Sequence, residues 1–169
     1  IIKRIIPPSF SMGCNLQFFL SLCCAFFIIA VMIQVLFVCL GNICRSPTAD
    51  GVFQKLVSDA GLTKRIKVDS AGTANWHQGR APDQRTVAAA AKRGFDLSVL
   101  RARAVKRSDF EEFDYILAMD EDNLADLRSL KPADYLGHLG LFLAFGSQKK
   151  YHEVPDPYHG GTEGFELVL

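Results

Sequence analysis

The sequence has no excess of charge of either sign and few cysteines. Nineteen Lys and Arg residues stand against eighteen Asp and Glu residues, a formal net charge of +1, and the basic residues are scattered. Binding of duplex nucleic acid depends on a basic patch, so the sequence gives no support for that role. Of the five cysteines, two, Cys39 and Cys44, follow residue 32. Two cysteines so close together do not make a disulfide scaffold, which favours a reducing compartment such as the cytoplasm.

Charge is also missing from a long stretch near the amino terminus. No charged residue lies between Arg4 and Arg45, and residues 16–32 are mostly apolar. Two cations followed by such a run are typical of a signal peptide or membrane anchor. A strand-like run follows without a polar linker, however, and the chain starts with Ile1, whereas Met32 stands just before that run. We therefore interpret residues 1–32 as a leader that arises from a mis-assigned start, with a membrane anchor through residues 16–32 or a cleaved signal peptide as alternatives.

Residues 33–169 alternate strand-like and helix-like runs. The whole chain is 49% hydrophobic and 22% charged, which is ordinary for a globular protein. We predict an α/β domain with an open, mostly parallel four-stranded sheet and helices on both faces. The predicted strands are 35–39, 66–70, 115–119 and one within 139–145, and the predicted helices are 46–60, 84–93 and 120–130.

Local signals place several helix ends. Ser46 is a candidate N-cap with Pro47 at the first helical position, and Ser108 to Glu111 resemble a capping box. Residues 165–169 look like the opening of another helix, with Gly164 before it. A single turn is marginal as a helix, so we expect that a final helix is missing from this chain.

The turn after the first predicted strand suits a phosphate dianion. It runs from Cys39 to Ser46, with Gly41 inside it and Arg45 six residues after the cysteine. Gly41 permits conformations that aim successive N–H groups at an anion, the next helix adds its dipole, and the Arg45 guanidinium matches two phosphate oxygens. A helix N-terminus and a neighbouring Arg also favour the thiolate form of Cys39, a nucleophile for phosphoryl transfer. The Ser46 hydroxyl is placed to hydrogen-bond that sulfur.

Phosphoryl transfer from an aryl ester needs a proton donor for the leaving oxygen. Asp156 is the candidate, because the prolines on either side of it stiffen its loop and Tyr158 offers an aromatic wall. On spacing alone, an ordinary Pro-Asp-Pro turn is the simpler interpretation.

Several segments together resemble the low molecular weight protein tyrosine phosphatase family, its bacterial members in particular. They match in order and approximate spacing, and they are 38–47, 69–73, Pro82-Asp83 with Arg85, and 156–158. The resemblance covers residues 33–169 and implies a flavodoxin-like fold of phosphotyrosine phosphatase I type. It implies hydrolysis of phosphotyrosine, or of small aryl and acyl phosphates, through a cysteinyl-phosphate. In that reaction Cys39 is the nucleophile, Arg45 binds the transferring phosphoryl group, and Asp156 is general acid and then base.

The resemblance also implies supporting residues. Trp76 and Tyr158 would line the substrate cleft, although Trp76 without the resemblance is simple packing, and Cys44 would trap an oxidised Cys39 as a reversible disulfide. The family needs no cofactor and no metal, and its substrate is a phosphotyrosine protein or a small phosphomonoester. The residues expected to bind phosphate or support the loop are Leu40, Gly41, Asn42, Ile43, Cys44, Ser46 and Ser70.

Some residues depart from the family pattern, and other functions stay open. His159 stands where many members have a second Tyr, and Arg93 replaces a His that in some members joins the network supporting the loop. We interpret His77, His138 and His152 as surface or packing residues. An arsenate reductase of the same fold needs further cysteines, and none follows Cys44. A non-catalytic phosphate or phosphopeptide binder is the other alternative.

Overall fold

Four parallel strands form one sheet in the computed structural model, which describes residues 32–146 and 150–169. In this part of the chain the strand order is β2–β1–β3–β4, and every neighbouring pair is parallel. The predicted open parallel sheet is therefore confirmed. The chain leaves β1 toward β2 on one side and later returns to β3 on the other, so the carboxyl end of β1 is a topological switch point. The strands are β1 (Ile33–Cys39), β2 (Ile66–Gly72), β3 (Tyr115–Ala118) and β4 (His138–Leu141).

The helices connect these strands. Asp83 caps α2 by accepting a hydrogen bond from the Arg85 N–H, and Asp120 caps α4 in the same way through Asn123. Gly94, with a φ of 79°, follows the end of α2, as its position in the sequence predicts. The helices are α1 (Arg45–Asp59), α2 (Gln84–Lys92), α3 (Asp109–Glu112), α4 (Glu121–Leu130) and α5 (Thr162–Val168).

The central strand β1 is buried on both faces, which explains its continuous apolar sequence. Because side chains alternate along a strand, Val35 and Phe37 face one layer while Leu36 and Val38 face the other. All four are fully buried. The first layer contains Phe53 and Val57 of α1, and the second contains Leu124 and Leu127 of α4. Burying such a side chain contributes roughly 1.5–3 kcal/mol, so this strand is the most firmly held support available to a site.

Two predicted helix caps are wrong. Helix α1 starts at Arg45, one residue before the predicted position, and Ser46 is not its N-cap; the Ser46 hydroxyl is used elsewhere. Ser108 makes no side-chain capping bond to α3. The Asp109 carboxylate at that end accepts from the Lys106 N–H and from Arg103, both of which precede the helix.

The carboxyl-terminal part also differs from expectation. The last strand, predicted within 139–145, is β4 and ends at Leu141, and residues Phe142–Phe145 after it form a 3-10 turn. Gly164 lies inside α5 rather than before it, and the buried Phe165 packs this helix against Cys44 and Ala89. The predicted leader, residues 1–32, lies outside the described residues except for Met32. Within the described residues, no helix combines the length and the apolar character that crossing a bilayer requires.

Candidate active site

Cys39 is the last residue of β1, and its sulfur receives hydrogen bonds from the turn that follows. The Asn42 N–H donates to Sγ at 3.3 Å, and the Ser46 Oγ lies 3.0 Å from Sγ. The Asn42 side-chain amide in turn donates to Ser46 Oγ at 2.9 Å. The single hydroxyl hydrogen of Ser46 is thus left for the sulfur or for the Ala71 carbonyl at 3.2 Å. The Cys39 sulfur is therefore held in place by the backbone and the side chains of the turn that follows it.

The turn keeps its carbonyl oxygens engaged with neighbouring segments. The carbonyls of Cys39 and Leu40 accept from the N–H groups of Thr73 and Ala74, both at 2.9 Å, and the Ile43 carbonyl accepts from Asp83 at 2.8 Å. In a trans peptide the C=O and the following N–H point in opposite directions, and no cis peptide occurs in the described residues. The N–H groups therefore face the hollow of the turn, where they form a nest for an anion.

Asn42 carries the special backbone conformation that the sequence analysis assigned to Gly41. Its φ of 53° is the one positive value among non-glycine residues of the described chain, whereas Gly41 is outside the left-handed region. The Asn42 side chain holds this conformation from both ends, since Oδ1 accepts from the Arg103 N–H at 2.9 Å and Nδ2 donates to Ser46. Asn tolerates this region better than most residues do, which fits its place in the turn.

Arg45 begins α1 and is 4% exposed. One guanidinium nitrogen donates to Asp120 Oδ2 and to the Val154 carbonyl, and the other donates to Asp156 Oδ2 at 2.9 Å. Burial lowers the pKa of Arg45, but the hydrogen bond to Asp120 and the surrounding negative charges outweigh that effect and raise it. Asp120 was missed as a site residue, although its place just after β3, beside the carboxyl end of β1, was a usable signal.

Cys39, Arg45 and Asp156 line one cleft of about 150 Å³. Trp76 and Tyr158 lie in its lining, with 63% and 41% of their surfaces exposed. His77 also lines the cleft, where it packs next to Gly41 and edge-on against Trp76. The lining comprises Cys39, Leu40, Gly41, Ile43, Cys44, Arg45, Trp76, His77, Asp156, Tyr158 and His159.

Ser70 lies one step behind the turn. Its hydroxyl donates to Asp50 Oδ2 on α1 at 2.9 Å rather than to a residue of the turn itself. Asp50 is 1% exposed, and burial raises its pKa from 3.8 to about 6. Next to it, the Arg103 side chain bridges Asp69 and Asp109. The sequence analysis missed Asp50 and Arg103, because their partners are distant along the chain.

Cys44 is a buried thiol at the other end of the turn. Burial raises its pKa to about 11, so it stays protonated at neutral pH. Both Cys39 and Cys44 are free. Among the described residues, no three His, Cys, Asp or Glu side chains gather in a way that could hold a metal ion.

Comparisons with known proteins agree with this geometry. The family model described as "Low molecular weight phosphotyrosine protein phosphatase" matches residues 34–169. A protein of that name from Schizosaccharomyces pombe is 48% identical over 134 residues, which cover 79% of this chain and 85% of the relative. The low molecular weight protein-tyrosine-phosphatase YfkJ of Bacillus subtilis is 42% identical, with 81% and 86% covered. A crystal structure of a protein tyrosine phosphatase from Entamoeba histolytica, with Hepes in the active site, superposes with a TM-score of 0.76 at 42% identity and covers 80% of this chain and 86% of its own. The chain therefore belongs to the low molecular weight phosphotyrosine protein phosphatase family.

Proposed function

We propose that the chain hydrolyses phosphotyrosine monoesters in this cleft, with Cys39 as nucleophile, Arg45 as phosphate-binding residue and Asp156 as proton donor. One observation carries the proposal: the Cys39 sulfur, the Arg45 guanidinium and the Asp156 carboxylate, which are up to 117 positions apart in the chain, line the same small cleft. The family to which the chain belongs supports the same chemistry.

In the first step the Cys39 thiolate attacks phosphorus. The S–P bond forms while the P–O bond to the tyrosine ring breaks, and Asp156 gives its proton to the leaving phenolate. A phenol has a pKa of about 10, so its anion is a poor leaving group without that proton. Arg45 and the inward N–H groups of residues 40–45 stabilise the charge on the transferring phosphoryl group.

In the second step a water molecule attacks the cysteinyl-phosphate. Asp156, now a carboxylate, takes the proton of the water, the S–P bond breaks, and inorganic phosphate leaves. The electron pair returns to the Cys39 sulfur, where the Ser46 hydroxyl and the Asn42 N–H receive it. Cys44 does not compete as a nucleophile, because its buried thiol keeps its proton.

The remaining predicted residues have supporting roles in this proposal. Leu40 to Cys44 form the phosphate-binding turn, Asn42 and Ser46 hold its shape, and Ser70 supports α1 behind it through Asp50. Trp76 and Tyr158 pack on the substrate ring. When a peroxide has oxidised Cys39 to the sulfenic acid, the Cys44 thiol displaces water from it and forms a reversible disulfide. Both thiols being free and lining one cleft supports this role.

The partners we propose are phosphotyrosine-containing proteins in the cytoplasm. Two free thiols, one of them the nucleophile, favour a reducing compartment. The near-neutral charge argues against nucleic acid as a partner. Membrane association depends on residues 16–32, and fractionation of the native protein checks it: recovery in the membrane pellet would overturn the cytoplasmic assignment.

Hydrolysis of phenyl phosphate and of a phosphotyrosine peptide by the full chain, with EDTA present, tests the proposal. We expect turnover that Cys39→Ser abolishes and that Asp156→Asn lowers at least about 10²-fold, whereas the exposed Asp126→Asn on α4 leaves it unchanged. Rapid acid quenching should trap one phosphoryl group on Cys39. A folded protein that binds phosphate without turnover would instead be a phosphate-binding module.

A further inference from the structure

Arg85 lies between the phosphate-binding turn and the Asp156 loop, and the proposed mechanism gives its side chain no role. Its Nε and Nη2 donate to the two carboxylate oxygens of Asp83, at 3.0 and 2.9 Å, and its Nη1 donates to the Tyr158 carbonyl at 3.2 Å. The guanidinium also faces two aromatic rings, with Cζ 4.5 Å from the centroid of Phe165 and 5.5 Å from that of Tyr158. A planar fork of this kind fixes direction as well as distance.

One side of this arrangement is anchored to the turn. The Asp83 N–H donates to the Ile43 carbonyl at 2.8 Å, so the carboxylate that holds Arg85 belongs to a residue bonded to the turn. Hydrogen bonds from Arg85 lower the pKa of Asp83, which is therefore charged at neutral pH. Phe165 is 3% exposed and packs against Cys44 and Ala89, so the ring under the guanidinium is fixed as well.

The other side reaches the proton donor. Arg85 binds the carbonyl of Tyr158, and the N–H of Tyr158 donates to Asp156 Oδ1 at 3.0 Å. The Asp156 side chain is 43% exposed. The amino-terminal end of this loop is held by the Val154 N–H, which donates to the Met119 carbonyl at 2.8 Å. Beyond Asp156, the bond from Arg85 to Tyr158 ties the loop back to the turn.

We propose that Arg85 is a positioning residue that holds the Asp156 loop in register with the phosphate-binding turn. This inference rests on the proposed function and assigns a role to the Pro82-Asp83 and Arg85 segment. Arg45 also binds Asp156, at 2.9 Å, but a bound phosphoryl group competes for that guanidinium. Without the fork we therefore expect Tyr158, and with it Asp156, to move relative to Cys39. Proton transfer requires hydrogen-bond distance to the leaving oxygen, so such movement weakens general-acid catalysis while leaving the nucleophile in place.

The basicity of the leaving group determines which ester shows the loss of kcat/KM. Phenyl phosphate releases a basic phenolate and depends on the proton from Asp156, whereas 2,4-dinitrophenyl phosphate releases a much weaker base and depends on it little. The ratio kcat/KM reports the steps up to departure of the leaving group, so it isolates this proton transfer from the later hydrolysis. A merely structural role for Arg85 would lower kcat/KM equally for both esters.

The experiment compares Arg85→Met with Arg93→Met in the full chain. Arg93 follows the end of α2 and forms an ion pair with Glu166 on α5 at 2.9 Å. It therefore joins the same two helices, α2 and α5, as Arg85 does, but away from the Asp156 loop. For Arg85→Met we expect kcat/KM to fall about tenfold or more with phenyl phosphate and less than about threefold with the dinitrophenyl ester. Arg93→Met should change neither by more than about twofold. Equal losses for both esters, or no loss, would overturn the proposal.

Two further measurements distinguish failure of the positioning role of Arg85 from failure of the proposed function. In an Asp156→Asn background, Arg85→Met should cost little more, because both changes act through one group; independent, multiplying losses contradict the proposal. Amide hydrogen exchange of residues 150–161 should accelerate in Arg85→Met and not in Arg93→Met, and Arg85→Lys should lie between. Unaltered exchange in Arg85→Met overturns the positioning role even if no variant turns over substrate, whereas an inactive wild-type chain refutes the proposed function.

Discussion

Two thiols five residues apart in one turn have opposite environments. The Cys39 sulfur accepts or shares hydrogen bonds with Asn42 and Ser46, while Cys44 is enclosed by apolar packing that raises its pKa to about 11. Cysteine reactivity follows the thiolate, so the two environments distinguish the proposed nucleophile, Cys39, from Cys44, a thiol that keeps its proton at neutral pH. At the scale of residues, function therefore depends on where donors point rather than on residue type.

Substitutions of Asn42 separate backbone strain from hydrogen bonding. Asn42→Gly keeps the left-handed conformation and loses the bonds to Arg103 and Ser46, whereas Asn42→Ala loses them and adds strain at a φ of 53°. We expect both variants to lose kcat/KM and Asn42→Ala to be less stable than Asn42→Gly by about 1 kcal/mol. Urea unfolding and steady-state kinetics measure the two effects. Equal stability of the two variants would show that the turn relaxes out of the left-handed region.

At the scale of elements, the end of β2 joins the phosphate-binding turn to residues 103–105, which support Asn42. The Gly72 N–H donates to the Arg103 carbonyl, and the Gly72 carbonyl accepts from Val105, both at 2.8 Å. Arg103 itself is fixed through its side chain to Asp69 and Asp109. The support for Asn42 is therefore a short bridge between elements, held together by buried and half-buried charge.

Gly72 is required because backbone approaches it closely. A Cβ there would lie 2.7 Å from the Leu40 carbonyl oxygen and 3.2 Å from the Asn42 nitrogen. Since backbone cannot swing aside as a side chain does, we expect Gly72→Ala to displace the turn, to cost roughly 1–3 kcal/mol of stability and to lower kcat/KM. Chemical denaturation and kinetics check this. Gly161→Ala is the control, because its Cβ would meet nothing within 4 Å and should change stability by less than about 0.5 kcal/mol.

At the scale of the whole molecule, the packing that builds the site buries a carboxyl group. Asp50 on α1 lies between the site and β2, where Gln54 and Ser70 donate to it and burial raises its pKa from 3.8 to about 6. A carboxyl with a raised pKa in the folded state binds its proton more tightly there than in the unfolded chain. Its contribution to stability is full below about pH 4 and is lost as the pH rises through about 6.

The free energy of unfolding of Asp50→Asn should therefore depend on pH differently from that of the wild type. A shift of about two pKa units corresponds to roughly 3 kcal/mol, so between pH 4 and 7 the wild type should lose up to this amount relative to the variant. Urea unfolding across pH 4 to 8 gives the difference in the free energy of unfolding between the two proteins. The change of this difference with pH is the test, because the Asn side chain also alters the bonds to Gln54 and Ser70 and so shifts its absolute value. Asp126→Asn, on the exposed face of α4, should run parallel to the wild type. Parallel curves for Asp50→Asn would refute the argument.

Local patterns in the sequence predicted the helices and strands and the position of the phosphate site. Continuous apolar sequence in 35–39 indicates a doubly buried strand, and Cys39, Gly41 and Arg45 in the next turn indicate a phosphate site; both follow from short-range patterns. The same reasoning failed for Ser46, whose hydroxyl serves the sulfur instead of capping α1, and for Gly41, whose expected conformation falls on Asn42. A competing partner close in space is not visible in a local pattern.

The alternating β and α elements, the parallel sheet and the turn after β1 follow from the amino-acid pattern, because they depend on periodicity and on neighbours within a few positions. The partners of that turn follow only from the packing of the folded chain. Asp120 holds Arg45, Arg103 supports Asn42, and Arg85 links Asp83 to Tyr158. The bonds to Arg45, Asn42 and Tyr158 span 75, 61 and 73 positions of the chain. Such contacts arise where strands and loops converge at one edge of the sheet, and their geometry depends on how every layer packs.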